Sequence, residues 1–185
     1  MKPALILDAP TAWPLNEITL QPLSEDAVSA ALRIGLSEAI KTNHAPGSKG
    51  GGSDEPGLSI ALLDDAAVMR LNAEFRDRDE PTNVLSWPAY PGATPEAVRA
   101  AAAQEPGHVY WGDLALAGET VAREAKAAGK SVSAHLSHLI IHGVLHLLGY
   151  DHIEEDQAEL MESLERRAMD ELGYDNPYGD STDTK

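Results

Sequence analysis

LSHLIIHGVLHLL, residues Leu136 to Leu148, is apolar almost all round, the pattern of a helix buried inside a protein rather than laid on its surface. Histidines in such a helix need partners, because an unpaired polar group out of water is costly. His142 and His146 are four residues apart. At 3.6 residues per turn they share one face, ~40° apart and ~6 Å along the axis, which suits two imidazoles meeting one ion. Five residues separate His146 from His152, and a continued helix would rotate the third imidazole ~240° away. The chain must therefore turn sharply, and Gly149 is the residue able to take the left-handed conformation that ends a helix in this way. The spacing predicts two ligands on a helix, a glycine turn and a third ligand. His142, His146 and His152 would hold one zinc ion per chain, with the fourth tetrahedral position left open to water as in catalytic zinc sites. The competing reading makes them core histidines bonded to backbone, which requires burying three imidazoles without charge or ligand. His138, one turn before His142, is expected to support the site or fill the core, since a fourth ligand would close it. His135, His108 and His44 are read as solvated or capping residues.

Outward from this block, the 185-residue length fits one domain, 1–185. Apolar residues make up 43% and charged residues 24%, the balance of a folded water-soluble chain, and aromatics are so few at 5% that aliphatic residues and alanine must form the core. No run approaches the ~18 apolar residues of a membrane span. Ala4 to Leu7 is far too short for a secretory core, so a cytoplasmic location is expected. With no cysteine, disulfides and thiolate metal sites are excluded, leaving histidine and carboxylate as ligands. The formal net charge of -16 opposes nucleic-acid binding over most of the surface. Charge acts within a Debye length of ~8–10 Å, however, so a few arginines at a cleft suffice locally.

Periodicity predicts an α+β fold: one small central sheet of about four strands with about five helices packed on it, in the order β-α-β-α-β-β-α-α-α. The strands are expected at Ala4–Leu7, Leu58–Leu63, Val84–Trp87 and Asp113–Ala117. A first helix, capped by Ser24 after Pro22, runs to about Lys41 with Val28, Leu32, Leu36, Ile40, Ala31 and Ala39 inward. The next is capped by Asp64 or Asp65 and buries Val68, Leu71 and Phe75 up to Arg76. Glu119–Ala128, ended by Gly129, is followed by the histidine helix, capped by Ser131 or Ser133. A last helix spans Ile153–Leu172, with Leu160, Met161, Leu164, Ala168 and Leu172 inward. Residues 44–57 hold five glycines and two prolines and read as a flexible loop, as do residues 88–107, with a helical turn or more around Glu96–Ala103. The tail 174–185 is expected to fray.

HGVLHLLGYDH, His142 to His152, resembles the signature of the YbeY family of endoribonucleases, which mature ribosomal RNA. LNAEFRDRDEPTNVLSWP, Leu71 to Pro88, is similar to a second block of that family, with Trp87 where phenylalanine is usual, and Gly112-Asp113-Leu114 resembles a third. The likeness spans roughly residues 58–152. It implies a metal-dependent endoribonuclease of the cytoplasm acting on RNA, ribosomal RNA above all, with small-subunit ribosomal proteins as partners. Arg76 stands where the family has a functionally important arginine; otherwise it reads as a surface ion pair to Asp77, Asp79 or Glu80. The histidine spacing also resembles metzincin peptidases, but those place a glutamate base directly after the first histidine, where this chain has Gly143.

The expected chemistry is hydrolysis. Zinc would lower the pKa of its water toward ~7 and polarise a phosphoryl oxygen, while the Arg76 guanidinium neutralises charge building on the phosphate. Thr82, Asn83 and Ser86 are candidate substrate contacts. Asp151 and Asp113 are candidates to orient imidazoles through the nitrogen that faces away from the metal. Two rival classes remain: a ribosome assembly factor whose metal only stabilises the fold, and a metal-dependent hydrolase of a peptide or small phosphoester.

Overall fold

The computed structural model describes residues 5–8, 13–15, 17–41, 57–104 and 109–179. The expected loop at 44–56, and His44 and His108, lie outside them. Four short apolar runs form the strands: β1 (Leu5–Asp8), β2 (Leu58–Leu63), β3 (Val84–Pro88) and β4 (Gly112–Ala117). They pair in the order β1-β2-β4-β3. β1, β2 and β4 run parallel, while β3 lies antiparallel on β4 at the edge, with Ser86 opposite Leu114.

Side-chain alternation along the strands divides the interior into two unequal layers. Leu58, Ile60, Leu62, Leu114 and Leu116 join the main core. Leu85, Ala115 and Ala117 join a thin second layer with Val68. The main core is built around α5 (Val132–Leu147), which packs on β3 and β4 and is covered by α1 (Glu17–Lys41), α4 (Gly118–Ala127) and α6 (Glu155–Glu171). An apolar helix needs this all-round cover. The thin layer lies under α2 (Asp65–Arg76). Residues 95–104 form a further helix, α3 (Pro95–Gln104), which buries Val98 against the main core. Six helices thus stand among the described residues where about five were expected, the extra one within the anticipated loop 88–107. Asp64 caps α2 by accepting from the Ala67 N–H, and Ser131 caps α5 by accepting from the Ala134 N–H.

The first helix departs from expectation. It begins at Glu17 and runs through Pro22, so Ser24 lies inside it, fully buried and with no partner for its hydroxyl, and caps nothing. A proline in the early turns costs one hydrogen bond, which the burial of Leu20, Ala27, Val28, Ala31 and Ile34 outweighs. Leu32 and Leu36 are only partly buried. The small residues face inward because α5 approaches closely: a β-carbon on Gly35 would lie 2.7 Å from Leu148 Cδ1. Phe75 and Leu160, both expected inside, are 59% and 41% exposed, and Phe75 meets Trp87 edge-on instead. The start of the expected frayed tail is docked: Lys130 donates to the Pro177 carbonyl and the Tyr178 hydroxyl donates to Glu165. No helix among the described residues is long and apolar enough to cross a membrane.

Candidate metal centre

The end of α5 builds the site. Gly149, at φ +86°, closes the helix by donating to the His146 carbonyl, and Tyr150 N–H reaches back to the Leu145 carbonyl, the paired bonds of a Schellman turn. The Tyr150 ring is then anchored in the core, its hydroxyl donating to the Gly35 carbonyl at 2.7 Å. This reversal swings residues 151 and 152 back over the helix face that carries His142 and His146. Asp151 serves the turn, accepting the His152 N–H at 2.8 Å, and among the described residues forms no hydrogen bond to an imidazole.

The three rings converge. His142, His146 and His152 each offer a nitrogen, and these atoms all lie within 4.8 Å of one another. The ring centroids are 4.6, 5.4 and 5.0 Å apart. The hydrogen bonds behind the rings decide the tautomers. His142 Nδ1 donates to Glu165 Oε1 at 2.9 Å, and His146 Nδ1 donates to the Tyr150 carbonyl at 3.1 Å. Carboxylate and carbonyl only accept, so both protons sit on Nδ1 and both Nε2 atoms carry lone pairs. Those two lone pairs face each other at 3.1 Å, which is repulsive unless a cation lies between. The donor set therefore fits a metal ion bound by imidazole. Burial, then the nearby His142 and His152, holds His146 down to about 4, so its ring is neutral and able to ligate at physiological pH.

Glu165 was missed in the sequence. It sits on α6 among Met161, Leu164, Ala168 and Met169, with its side chain 1% exposed. Burial alone would raise its pKa, but hydrogen bonds from His138, His142 and Tyr178 together outweigh this and hold it at about 2. It is thus an anion at neutral pH. Tyr178, in turn, is pushed up by burial and by Glu165 and remains a donor. An acidic residue within the apolar stripe of α6 was the available signal. His138 donates to Glu165 at 2.6 Å and stays outside the three-ring cluster. Asp113 takes no part: alternation on β4 puts it on the side of Ala115 and Ala117, away from α5, where it accepts from Ser59 and Tyr110.

The histidines open on a cleft of about 700 Å³ that Arg76, Thr82, Asn83 and Ser86 also line. Arg76 ends α2, where Asp77 turns left-handed at φ 55°. Its Nη2 reaches the Ser86 carbonyl on the edge strand at 3.3 Å, and among the described residues it forms no ion pair with Asp77, Asp79 or Glu80. Asn83 is held by its amide on Glu124, which also pairs with His135. Gly143 packs against the sheet: a β-carbon there would lie 2.8 Å from Leu114 Cδ2 and 3.3 Å from the Oγ of Ser86, which also lines the cleft. A side chain at that position would have to displace the Leu114 side chain, and glycine itself supplies no base.

The half-buried His146 and the buried Glu165 couple folding to pH. Both have lowered pKa values in the folded chain, so the unfolded state takes up more protons as the solution is acidified, and stability falls with falling pH. For chelator-treated protein the loss runs from 6.5 to about 4 for His146 and from 4.5 to about 2 for Glu165. The His146 step is expected to cost roughly 2–3 kcal/mol. Thermal unfolding from pH 8 to pH 4 checks this, and a flat profile would contradict it.

Fold and site together define an α+β domain with a solvent-open three-histidine centre beneath a buried carboxylate. Residues 23–173 match the family model described as Endoribonuclease YbeY. The chain is 45% identical over 169 residues to the Endoribonuclease YbeY of Ruegeria pomeroyi, covering 86% of this chain and 90% of that one. It is 42% identical over 179 residues to that of a Chelativorans species, covering 95% and 94%. A Thermotoga maritima protein solved in solution shares the fold, with a TM-score of 0.51 at 21% identity over 98% of both chains. The chain belongs to the YbeY endoribonuclease family.

Proposed function

We propose that this protein is a zinc-dependent endoribonuclease of the cytoplasm that hydrolyses phosphodiesters during ribosomal RNA maturation, with small-subunit ribosomal components as its partners. The observation that carries the metal reading is the pair of Nε2 lone pairs facing each other at 3.1 Å beside a third imidazole; the family membership supports RNA as substrate. His142, His146 and His152 hold the ion. When bound, it supplies Lewis-acid chemistry, polarising a phosphoryl oxygen and acidifying water. Arg76, without an acidic partner among the described residues and on the same cleft, offers a planar fork of donors to the phosphate as charge builds on it. It also gives an acidic chain a local cationic foothold. Thr82, Asn83 and Ser86 orient the substrate along the cleft wall.

Arg76→Ala is expected to lower RNA cleavage by the zinc-loaded protein roughly 10²–10³-fold, the usual cost of removing one preorganised donor from a developing charge, while metal content stays at the wild-type level. Undiminished cleavage would exclude Arg76 from the chemistry. Casein serves as the peptidase control. Gly143 supplies no carboxylate base where a peptidase of this spacing needs one, which favours nuclease over peptidase, so no casein cleavage is expected.

A further inference from the structure

A carboxylate sealed beneath the histidine helix is costly to desolvate unless its lone pairs are filled. Glu165 fills them with three donors. Oε1 accepts from His142 Nδ1 at 2.9 Å, and Oε2 accepts from His138 Nε2 at 2.6 Å and from the Tyr178 hydroxyl. Tyr178 comes from the segment after α6, 13 residues beyond Glu165. The segment is fastened there by several contacts. Tyr178 N–H donates to Asn176 Oδ1 at 3.0 Å, and Lys130 donates to the Pro177 carbonyl. The Tyr178 ring meets His138 edge-on at 5.4 Å, with the Arg166 guanidinium 5.8 Å from its centroid. Apart from His142, none of these groups lines the cleft.

The chain of bonds therefore runs from the C-terminal segment to the histidine cluster in two steps. The phenol fixes one carboxylate oxygen, and the other fixes which nitrogen of His142 bears the proton and how the ring is turned. An imidazole held this way presents a single lone pair in one direction, whereas a free one samples two tautomers and a range of ring angles. We propose that Glu165 and Tyr178 are positioning residues of the metal centre, so that the segment from Asn176 to Tyr178 sets metal affinity from behind the helix. This rests on the three histidines being a metal site.

The test is Co²⁺ binding by the full-length protein, read by competition with a chromophoric chelator and by the visible spectrum of the bound ion. Loss of such outer partners weakens metal affinity roughly 10–100-fold. Tyr178→Phe is expected near the lower figure and Glu165→Gln near the higher, each with an altered Co²⁺ spectrum. Arg33→Ala breaks the Arg33–Glu171 pair that ties α6 to α1, so it loosens the same helix without touching Glu165, and affinity and spectrum should stay as in wild type. If wild type binds Co²⁺ but Tyr178→Phe and Glu165→Gln match it within twofold and in spectrum, the positioning role is overturned while the metal site stands. An equal loss in Arg33→Ala overturns it as well, by showing a global effect. If wild type takes up no Co²⁺, both readings fall together.

Discussion

His146→Ala is expected to leave a folded protein that retains no zinc after purification and cleaves RNA at background rate. Structural zinc sites gain ~10–16 kcal/mol from four protein ligands, or ~2.5–4 kcal/mol each, and on that scale a three-histidine site that loses one ligand loses roughly 10²–10³-fold in affinity. Cleavage should fall at least as far, because no other group among the described cleft residues is a Lewis acid able to acidify water. The cost to the chelated fold is small by comparison. The substitution removes the hydrogen bond from His146 Nδ1 to the Tyr150 carbonyl, worth about 1 kcal/mol, and it relieves the opposed lone pairs. Elemental analysis, circular dichroism and an RNA cleavage assay before and after chelation make the test. Wild-type RNA processing by a folded, metal-free variant would leave the assembly-factor reading as the better one.

The other large effect is expected at Gly149, where backbone geometry rather than chemistry is at stake. At φ +86° an L side chain is strained, and a β-carbon would stand 2.3 Å from the Ala93 carbonyl oxygen and 3.0 Å from Thr94 C. Both neighbours are backbone, so the turn before α3 must move. The left-handed penalty alone is ~1–2 kcal/mol, and displacing packed backbone brings the expected loss to about 3 kcal/mol or more. For a domain of this size that lowers Tm by ~6–12 °C. Because the turn carries the chain from His146 to His152, Gly149→Ala should also weaken zinc binding, unlike a core substitution of equal stability cost. A Tm within 2 °C of wild type with full metal content would show that the turn relaxes without moving His152.

Much of the interior was readable from local pattern. β2, α2 with its Asp64 cap, β4, α4 and α5 with its Ser131 cap stand within a residue or two of where periodicity and capping chemistry put them. Where expectation failed, a distant partner had overruled a local signal. Ser24 after Pro22 is a sound cap pattern, yet packing against α5 carries α1 through both residues. Phe75 fits the stripe of Val68 and Leu71, but the sheet ends before it reaches cover, and Trp87 at the edge strand is what it finds. Asp113 is a carboxylate in a recognised motif, and the two-residue period of β4 turns it away from the histidines.

The three imidazoles owe their convergence to a stretch of eleven residues, His142 to His152. Helical pitch, a glycine and a fixed spacing act over a few ångströms of contiguous chain, and the sequence alone determines such relations. What holds those rings, and what faces them, comes from elsewhere in the chain. Glu165 lies 23 residues beyond His142, and its worth as an anion depends on which helix covers it. Arg76 reaches the cleft only because β3 is an edge strand. Burial and hydrogen-bond partnership are properties of surfaces brought together from different segments, so they were decided when α6 and the segment after it packed against the histidine helix and α2 packed on the other face of the sheet, and not before.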